Sequence, residues 1–389
     1  MSTTERIYAD HAATTPARPE VVEAMLPFFA EIGFNPSSVH AEGRHARAAL
    51  DTLRETIART LSARAKEIVI TGGGSEADNL ALFGVARAQA SRGKHILSTR
   101  IEHHAILHSL DMLAEDGWSI DYIDVDGDGL VDVQAFRAAL RDDTVLATIM
   151  LANNEIGTVQ PIAELARIAR ERSVLFHTDA VQGPAYLDVD VKKLGVDLLS
   201  ISAHKFYGPK GVGALYVRDG TPISPVLVGG SQEFAKRAGT ENLAGIAGLA
   251  KALELAAAER PAAALRLAEL RDRFERLVQD RLPDVHINGA GAARLPNVSN
   301  ISFAAVEADA LVLRLDLEGA AISTGSACAA GSLEPSHVIA ALGLEPRWLQ
   351  AAVRFSFGRS TDLAQIERLA DLVYNIVTDL RRFSVPGTY

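Results

Sequence analysis

Ser200-Ile201-Ser202-Ala203-His204-Lys205-Phe206-Tyr207-Gly208-Pro209-Lys210-Gly211 decides how the rest of the chain is read. The run from Val196 to Ser202 is apolar and leans to β structure. It delivers Lys205 to a turn forced by Gly208, Pro209 and Gly211. A lysine at the end of a buried strand is costly unless its charge is paired or its pKa is lowered. A lowered pKa is what a Schiff-base lysine requires, because the neutral amine is the nucleophile. Taken alone, the stretch favours a lysine that caps a strand and points into water. Residues elsewhere in the chain reverse that preference.

Upstream, strand-like runs alternate with helical ones. His95–Thr99, Thr144–Ala152, Val174–His177, Leu198–Ile201 and Gly213–Val217 read as strands. Ala105–Leu113 and Ile162–Arg170 read as helices between them. Alternation of this kind predicts an α/β fold with a mostly parallel, doubly wound sheet. Such sheets bind ligands at the carboxyl ends of their strands. That rule picks out Ser75, His103, Asn154, Asp179 and Lys205, each just past a predicted strand.

Glu67–Thr71, then Gly72-Gly73-Gly74-Ser75-Glu76-Ala77-Asp78-Asn79, reads as strand, glycine turn and helix. Ser75 and Asp78 have the spacing of a capping box with Asp in place of Glu. A helix start behind glycines offers backbone N–H groups to an anion. The stretch is neither a Walker loop nor Gly-x-Gly-x-x-Gly, so a bare turn and a phosphate cradle are equally good readings of it alone.

The chain has 389 residues, which predicts a large domain and a smaller one. A formal net charge of -10 argues against general nucleic-acid binding. No apolar run approaches membrane-spanning length and Met1–Arg6 carries no signal-peptide pattern. Cys328 is the single cysteine, which excludes an intramolecular disulfide and a cysteine-rich metal site and fits a reducing, cytoplasmic setting. Asp124-Val125-Asp126-Gly127-Asp128-Gly129 resembles a calcium loop, but Ala135 stands where the bidentate Glu belongs, so a turn is the better reading. His104 and His108 lie one helical turn apart with no acid or thiol to complete a metal set; no metal is expected.

At the N-terminus, a short strand from Ile7 precedes a helix that Pro19 opens and that runs through Phe29. Ala46, Leu50, Leu53, Ile57 and Leu61 mark a long amphipathic helix. Ala244–Ala258 reads as a helix broken by Pro261, with a second helix from Leu267 to Leu282. The expected division is 15–260 as the large domain and 1–14 with 261–389 as the small one. In the small one, Asn297–Ala304, Ala321–Thr324 and Val353–Phe357 read as strands, Ala308–Leu317 and Leu363–Leu380 as helices. Gly325-Ser326-Ala327-Cys328-Ala329-Ala330-Gly331-Ser332 is nearly all small residues and predicts a mobile loop, about 322–336.

Pyridoxal phosphate needs a lysine, an acid against its ring nitrogen, a helix N-terminus for its phosphate and a flat partner over its ring. Lys205, Asp179, Gly73-Gly74-Ser75 and His103 supply that set. Asp179 taken alone is more safely a helix N-cap. Ala152-Asn153-Asn154-Glu155-Ile156-Gly157, Phe176-His177-Thr178-Asp179-Ala180-Val181-Gln182, Ser202-Ala203-His204-Lys205, Arg237-Ala238-Gly239-Thr240-Glu241-Asn242 and Gly325-Ser326-Ala327-Cys328 then occur in one order. With these motifs the chain resembles, over nearly its whole length, the cysteine desulfurases of the NifS/IscS type, fold-type I pyridoxal-phosphate enzymes. The resemblance implies pyridoxal 5'-phosphate on Lys205, Asp179 on the pyridine nitrogen, Gln182 on the phenolic oxygen and His103 stacked on the ring. It implies Gly74, Ser75, Ser202 and His204 around the phosphate and Thr240 reaching the phosphate of a second subunit, hence a homodimer. Asn154 and Arg354 resemble the substrate-holding residues, and Arg suits a carboxylate because its planar fork donates two parallel hydrogen bonds.

Cys328 resembles the nucleophile that takes sulfur from L-cysteine as a persulfide and leaves L-alanine. A lone cysteine is usually a small buried hydrophobe, but its small, glycine-flanked neighbours argue against a tightly packed position. The implied partners are sulfur-acceptor proteins, an iron–sulfur scaffold or a tRNA-thiolation enzyme. A selenocysteine lyase or cystine C–S lyase on the same scaffold, and a non-catalytic sulfur-assembly platform, are the alternatives. The chain departs from the family pattern at Gly72–Glu76, at His11 and at Ala329-Ala330.

Overall fold

The computed structural model describes residues 6–324 and 335–383. Among them the strands are β1 (Ile7–Tyr8), β2 (Ile68–Thr71), β3 (His95–Thr99), β4 (Ser119–Ile123), β5 (Thr144–Thr148) and β6 (Leu175–Asp179). They continue with β7 (Leu198–Ser202), β8 (Gly213–Val217), β9 (Val285–Asn288), β10 (Val298–Phe303), β11 (Ala320–Ala321) and β12 (Ala352–Ser356). A seven-stranded sheet runs β2-β8-β7-β6-β5-β3-β4. Its neighbours β4, β3, β5, β6 and β7 are parallel, whereas β8 is antiparallel to both β7 and β2. The mostly parallel α/β sheet expected from alternation is therefore present. Strands β2, β3, β5, β7 and β8 are buried along their whole length, with apolar runs such as Ile68-Val69-Ile70 and Val145-Leu146-Ala147, because helices cover the sheet, whereas the edge strand β4 leaves Ser119 and Asp121 exposed. Since β8 runs opposite to β2 and β7, the carboxyl ends of β2, β3, β5, β6 and β7 share one edge.

A second, antiparallel sheet has the order β12-β10-β9, and β1 pairs in parallel with β11. No helix among the described residues is long and apolar enough to cross a membrane.

Several boundaries differ from the sequence reading for physical reasons. Leu243–Arg281 is one continuous helix with Pro261 inside it. Local chemistry favours a break there, but Leu249, Leu253, Leu267 and Phe274 are all buried, and the helix packs against Ala41–Thr60 and Leu363–Phe383. Tertiary burial outweighs the missing bond. The division at 260/261 falls inside this helix. The helix from Pro19 ends at Met25 and tightens into a 3-10 turn through Phe29 around Pro27, which has no N–H to donate. The strand from Thr144 stops at Thr148, and the one at Ala321 shortens to Ala320–Ala321 plus an isolated bridge between Ser323 and Arg354. The capping box is also corrected. The helix Gly74–Gln89 has Gly73 as its N-cap, with no side-chain cap, and Asp78 is buried inside the fold.

Candidate active site

A cavity of about 260 Å³ lies at the shared carboxyl edge of the sheet. β7 ends in a 3-10 turn, Ala203–Lys205, which swings Lys205 into the cavity. Its Nζ donates to the carbonyl oxygens of Ala12 and Ala13, both at 2.7 Å. The strand-ending lysine is thus turned inward, and the reading of a solvated cap is set aside. Tyr207, two residues on, adopts a left-handed φ of 65°, and its N–H donates to Thr15 Oγ1 at 2.7 Å. The Thr15 hydroxyl donates in turn to the His204 carbonyl at 2.8 Å. Residues 12–15 are thereby laced over the lysine turn.

β6 delivers Asp179, whose Oδ1 accepts the Val181 N–H at 2.8 Å. Burial holds its carboxyl above the usual carboxylate range, a rise that His103, the Val181 N–H and Lys205 offset in part. The residues after Asp179 form a turn, so it caps no helix. Gln182, in that turn, donates from Nε2 to the Ala12 carbonyl at 3.0 Å, the same oxygen that Lys205 holds.

His103 is the N-cap of the helix His104–Glu115, and its Nδ1 accepts the Ala105 N–H at 3.1 Å. With Nδ1 accepting, the neutral ring carries its proton on Nε2. Burial lowers its pKa, which keeps it in that neutral form.

The phosphate-sized end of the site is glycine chemistry. Gly73 has φ of 153°, a conformation that favours glycine. A Cβ on Gly74 would stand 2.8 Å from Val181 Cγ2. The start of the 16-residue helix Gly74–Gln89 thus exposes its first N–H groups to the cavity, with Ser75 and Ser202 on its wall. His204 Nδ1 lies 3.1 Å from Thr14 Oγ1. Burial and the neighbouring Lys205 push the His204 ring down to about 4, so at neutral pH it is uncharged.

At the opposite end, Arg354 on β12 is buried, with Nη1 donating to the Asn154 carbonyl at 2.9 Å and Nη2 to Asp10 Oδ1 at 2.8 Å. Asn153 fixes the Asn154 turn. Its Oδ1 accepts the N–H groups of Glu155 and Ile156, and its Nδ2 donates to the Ile101 carbonyl at 2.9 Å.

The structure therefore brings Gly74, Ser75, His103, Asn154, Asp179, Gln182, Ser202, His204, Lys205 and Arg354 onto one cavity wall. Thr240 is exposed and lies off that wall. Cys328 and most of the predicted loop lie outside the described residues. The wall also holds Asp78, read from the sequence as a helix cap, and His104, Glu155 and His337, to which sequence reasoning assigned no site role. Glu155 Oε2 accepts the Ser336 hydroxyl at 2.6 Å, and His337 Nε2 donates to the Glu102 carbonyl at 2.9 Å. Glu155 stood inside a quoted motif, where only its burial would have marked it. The rings of His104 and His337 are 4.7 Å apart, yet no cluster among the described residues is arranged to hold a metal ion.

The site suits pyridoxal phosphate on its own features: an inward lysine, a buried acid, a glycine-walled helix start and the uncharged His103 ring on the same wall. The description of the class-V aminotransferases matches residues 7–369. The chain is 51% identical over 378 residues to "Cysteine desulfurase IscS" of Dictyoglomus turgidum, covering 97% of this chain and 96% of that protein. It is 47% identical over 379 residues to "Cysteine desulfurase IscS" of Methanosarcina thermophila, covering 97% and 93%. Among solved structures, a NifS-like protein superposes with a TM-score of 0.90 at 34% identity, covering 96% of this chain and all (100%) of that one. A NifS-like protein from Rickettsia africae gives 0.86 at 30% identity, covering 96% and 100%.

Proposed function

The chain belongs to the class-V aminotransferase family, and on that premise we propose its reaction in full: it is a cysteine desulfurase that holds pyridoxal 5'-phosphate. L-cysteine and the Cys328 thiol become L-alanine and a Cys328 persulfide, so that one sulfur moves and no external oxidant is needed. The observation that carries this reading is the convergence of Lys205, Asp179 and the Gly74 helix start on one cavity.

Bound pyridoxal phosphate supplies an electron sink for the amino acid's carbon skeleton. The chain's own residues do the rest. Lys205, held at the carbonyls of Ala12 and Ala13, is the attachment point. Asp179, kept dry, would meet the ring nitrogen, and Gln182, which donates to the Ala12 carbonyl, would reach the phenolic oxygen. The N–H groups of Gly74 and Ser75, with Ser202 and the neutral His204, would hold the phosphate. His103 presents Nε2–H and moves a proton at that atom. Arg354, oriented by Asp10 and the Asn154 carbonyl, takes the substrate carboxylate, and Asn154 assists. Cys328 takes the sulfur; to react as the thiolate, a cysteine thiol needs its pKa lowered by a cation or acid–base group.

Finer features belong to the same proposal. The large unit is 15–260 and the small unit 1–14 with 261–389. The enzyme is a cytoplasmic homodimer in which Thr240 reaches the phosphate of the second copy. Its persulfide passes to an acceptor protein serving iron–sulfur assembly or tRNA thiolation. The test is direct: protein loaded with pyridoxal phosphate should be yellow and should turn L-cysteine into L-alanine. Faster turnover of selenocysteine or cystine, or no cofactor absorption, would overturn the reading.

A further inference from the structure

Asp78 lines the cavity beside Asp179, and the proposed chemistry does not use it. It projects from the helix Gly74–Gln89, which packs against β5, β6 and β7. Strand alternation puts His177 and Asp179 on one face of β6, and the register sets Thr148 beside His177 and Ser200 beside Asp179. Asp78 sits over this group, 1% exposed, with Oδ1 3.7 Å from His177 Nε2 and no hydrogen-bond partner on that oxygen. His177 Nε2 is 3.0 Å from Ser200 Oγ, and its Nδ1 is 2.8 Å from Thr148 Oγ1. The surrounding interface is apolar, built from Ala77, Leu80, Ala81, Leu146 and Leu198.

A polar row inside such an interface is costly compared with apolar packing. Its presence therefore asks for a reason other than stability. Two carboxyl groups in one dry site do not both ionise. Asp179 has the Val181 N–H, with His103 and Lys205 close by, to favour its charge. Asp78 has Ser200 and the neutral His177, and faces two more acids, Asp179 and Glu102. The competition for the charge goes to Asp179.

We propose that Asp78 is the proton-holding acid of the cofactor site: it stays neutral so that the single negative charge of the pair rests on Asp179. The row Ser200–His177–Thr148 fixes it in that state. A neutral Asp78 can donate toward Ser200, the Ser200 hydroxyl to His177 Nε2, and His177 Nδ1–H to Thr148 Oγ1, so each group donates once. Asp78 is a positioning residue in this role. It acts through Asp179, and an ionised Asp78 would drive the proton onto Asp179 and weaken its hold on a protonated ring nitrogen. This inference rests on the pyridoxal-phosphate reading above.

The experiment is difference infrared spectroscopy on the cofactor-loaded full chain at neutral pH. Wild type minus Asp78→Asn should show the C=O stretch of an un-ionised carboxylic acid. Glu102 is a second buried acid, so Glu102→Gln should remove a different band and leave this one. Ser200→Ala should shift the Asp78 band without abolishing it, which also serves if Asp78→Asn does not fold. A holoenzyme that loses no acid band in Asp78→Asn, or whose bands ignore Ser200→Ala, overturns the inference and leaves the functional reading standing. A wild-type chain that takes up no cofactor overturns both.

Discussion

The Arg354 guanidinium donates to the Asp10 carboxylate at 2.8 Å across 344 residues of sequence. Backbone bonds in both directions join Arg354 to Ser323, and its second nitrogen holds the Asn154 carbonyl. The cation is thus presented to the cavity already oriented. Replacing it removes a charge-assisted contact to the substrate carboxylate, worth roughly 1.5–3 kcal/mol. Arg354→Ala should raise KM for L-cysteine by about 10- to 150-fold while the absorption of the bound cofactor stays unchanged. Steady-state kinetics and a spectrum of the resting protein check this. A changed resting spectrum would mean that Arg354 acts on the cofactor instead.

Gly213, the first residue of β8, guards the phosphate end. A Cβ there would lie 2.5 Å from the Ile201 carbonyl and 2.8 Å from the Gly73 backbone carbon. Neither is the tip of a flexible side chain, so the backbone must move. Gly213→Ala should cost about 1–3 kcal/mol in urea unfolding and weaken cofactor binding in an absorbance titration. Unchanged affinity would show that the Gly73–Gly74 turn is not the phosphate cradle.

Lys205→Ala should abolish the covalent attachment and with it the yellow absorption, while the fold is retained. Loss of desulfuration should exceed a thousandfold, a magnitude in line with removing an essential nucleophile. Denaturing mass spectrometry after borohydride reduction reads it: wild type retains the cofactor on the chain, and the variant does not.

The pattern of strands made much of this legible. Lys205 and His103 follow β7 and β3, Asp179 ends β6, and the carboxyl-edge rule gathers all three from the sequence pattern alone. The Asp10–Arg354 pair was invisible because it depends on an isolated bridge between Asp10 and Ser356 at the end of β12, and sequence separation carries no trace of that. Asp78 was misread because a spacing of three residues from Ser75 looks the same in a cap and in a buried helix face. Only the position of the sheet distinguishes them. Pro261 misled for the complementary reason: its local effect is real, but the apolar face on both sides of it is buried as one piece.

Buried groups also set the pH response. The Glu102 carboxyl is pushed up to about 8 by burial, and the His177 ring down to about 3 by burial. Between about 4.5 and 8 folded Glu102 keeps a proton that the unfolded chain has released, so stability falls as pH rises. Between about 3 and 6.5 the unfolded chain binds a proton that folded His177 refuses, so stability rises with pH. The two oppose each other at mildly acid pH, and above 6.5 only the Glu102 limb of this pair remains. Urea unfolding should therefore show stability declining from pH 6.5 to 8, and Glu102→Gln should flatten that decline. A decline of equal slope in Glu102→Gln would rule out Glu102 as its source.

The central claim is that one sulfur atom leaves L-cysteine for Cys328 at the Lys205 site. A single-turnover reaction tests it most directly, with cofactor-loaded protein, limiting L-cysteine and no acceptor or reductant. L-alanine is counted and the intact chain is weighed in the same sample. The account predicts one L-alanine for each chain that gains one sulfur, the sulfur mapping to the peptide containing Cys328, and neither product in Cys328→Ala. Undiminished L-alanine from Cys328→Ala, or sulfur gained at any other residue, would contradict it.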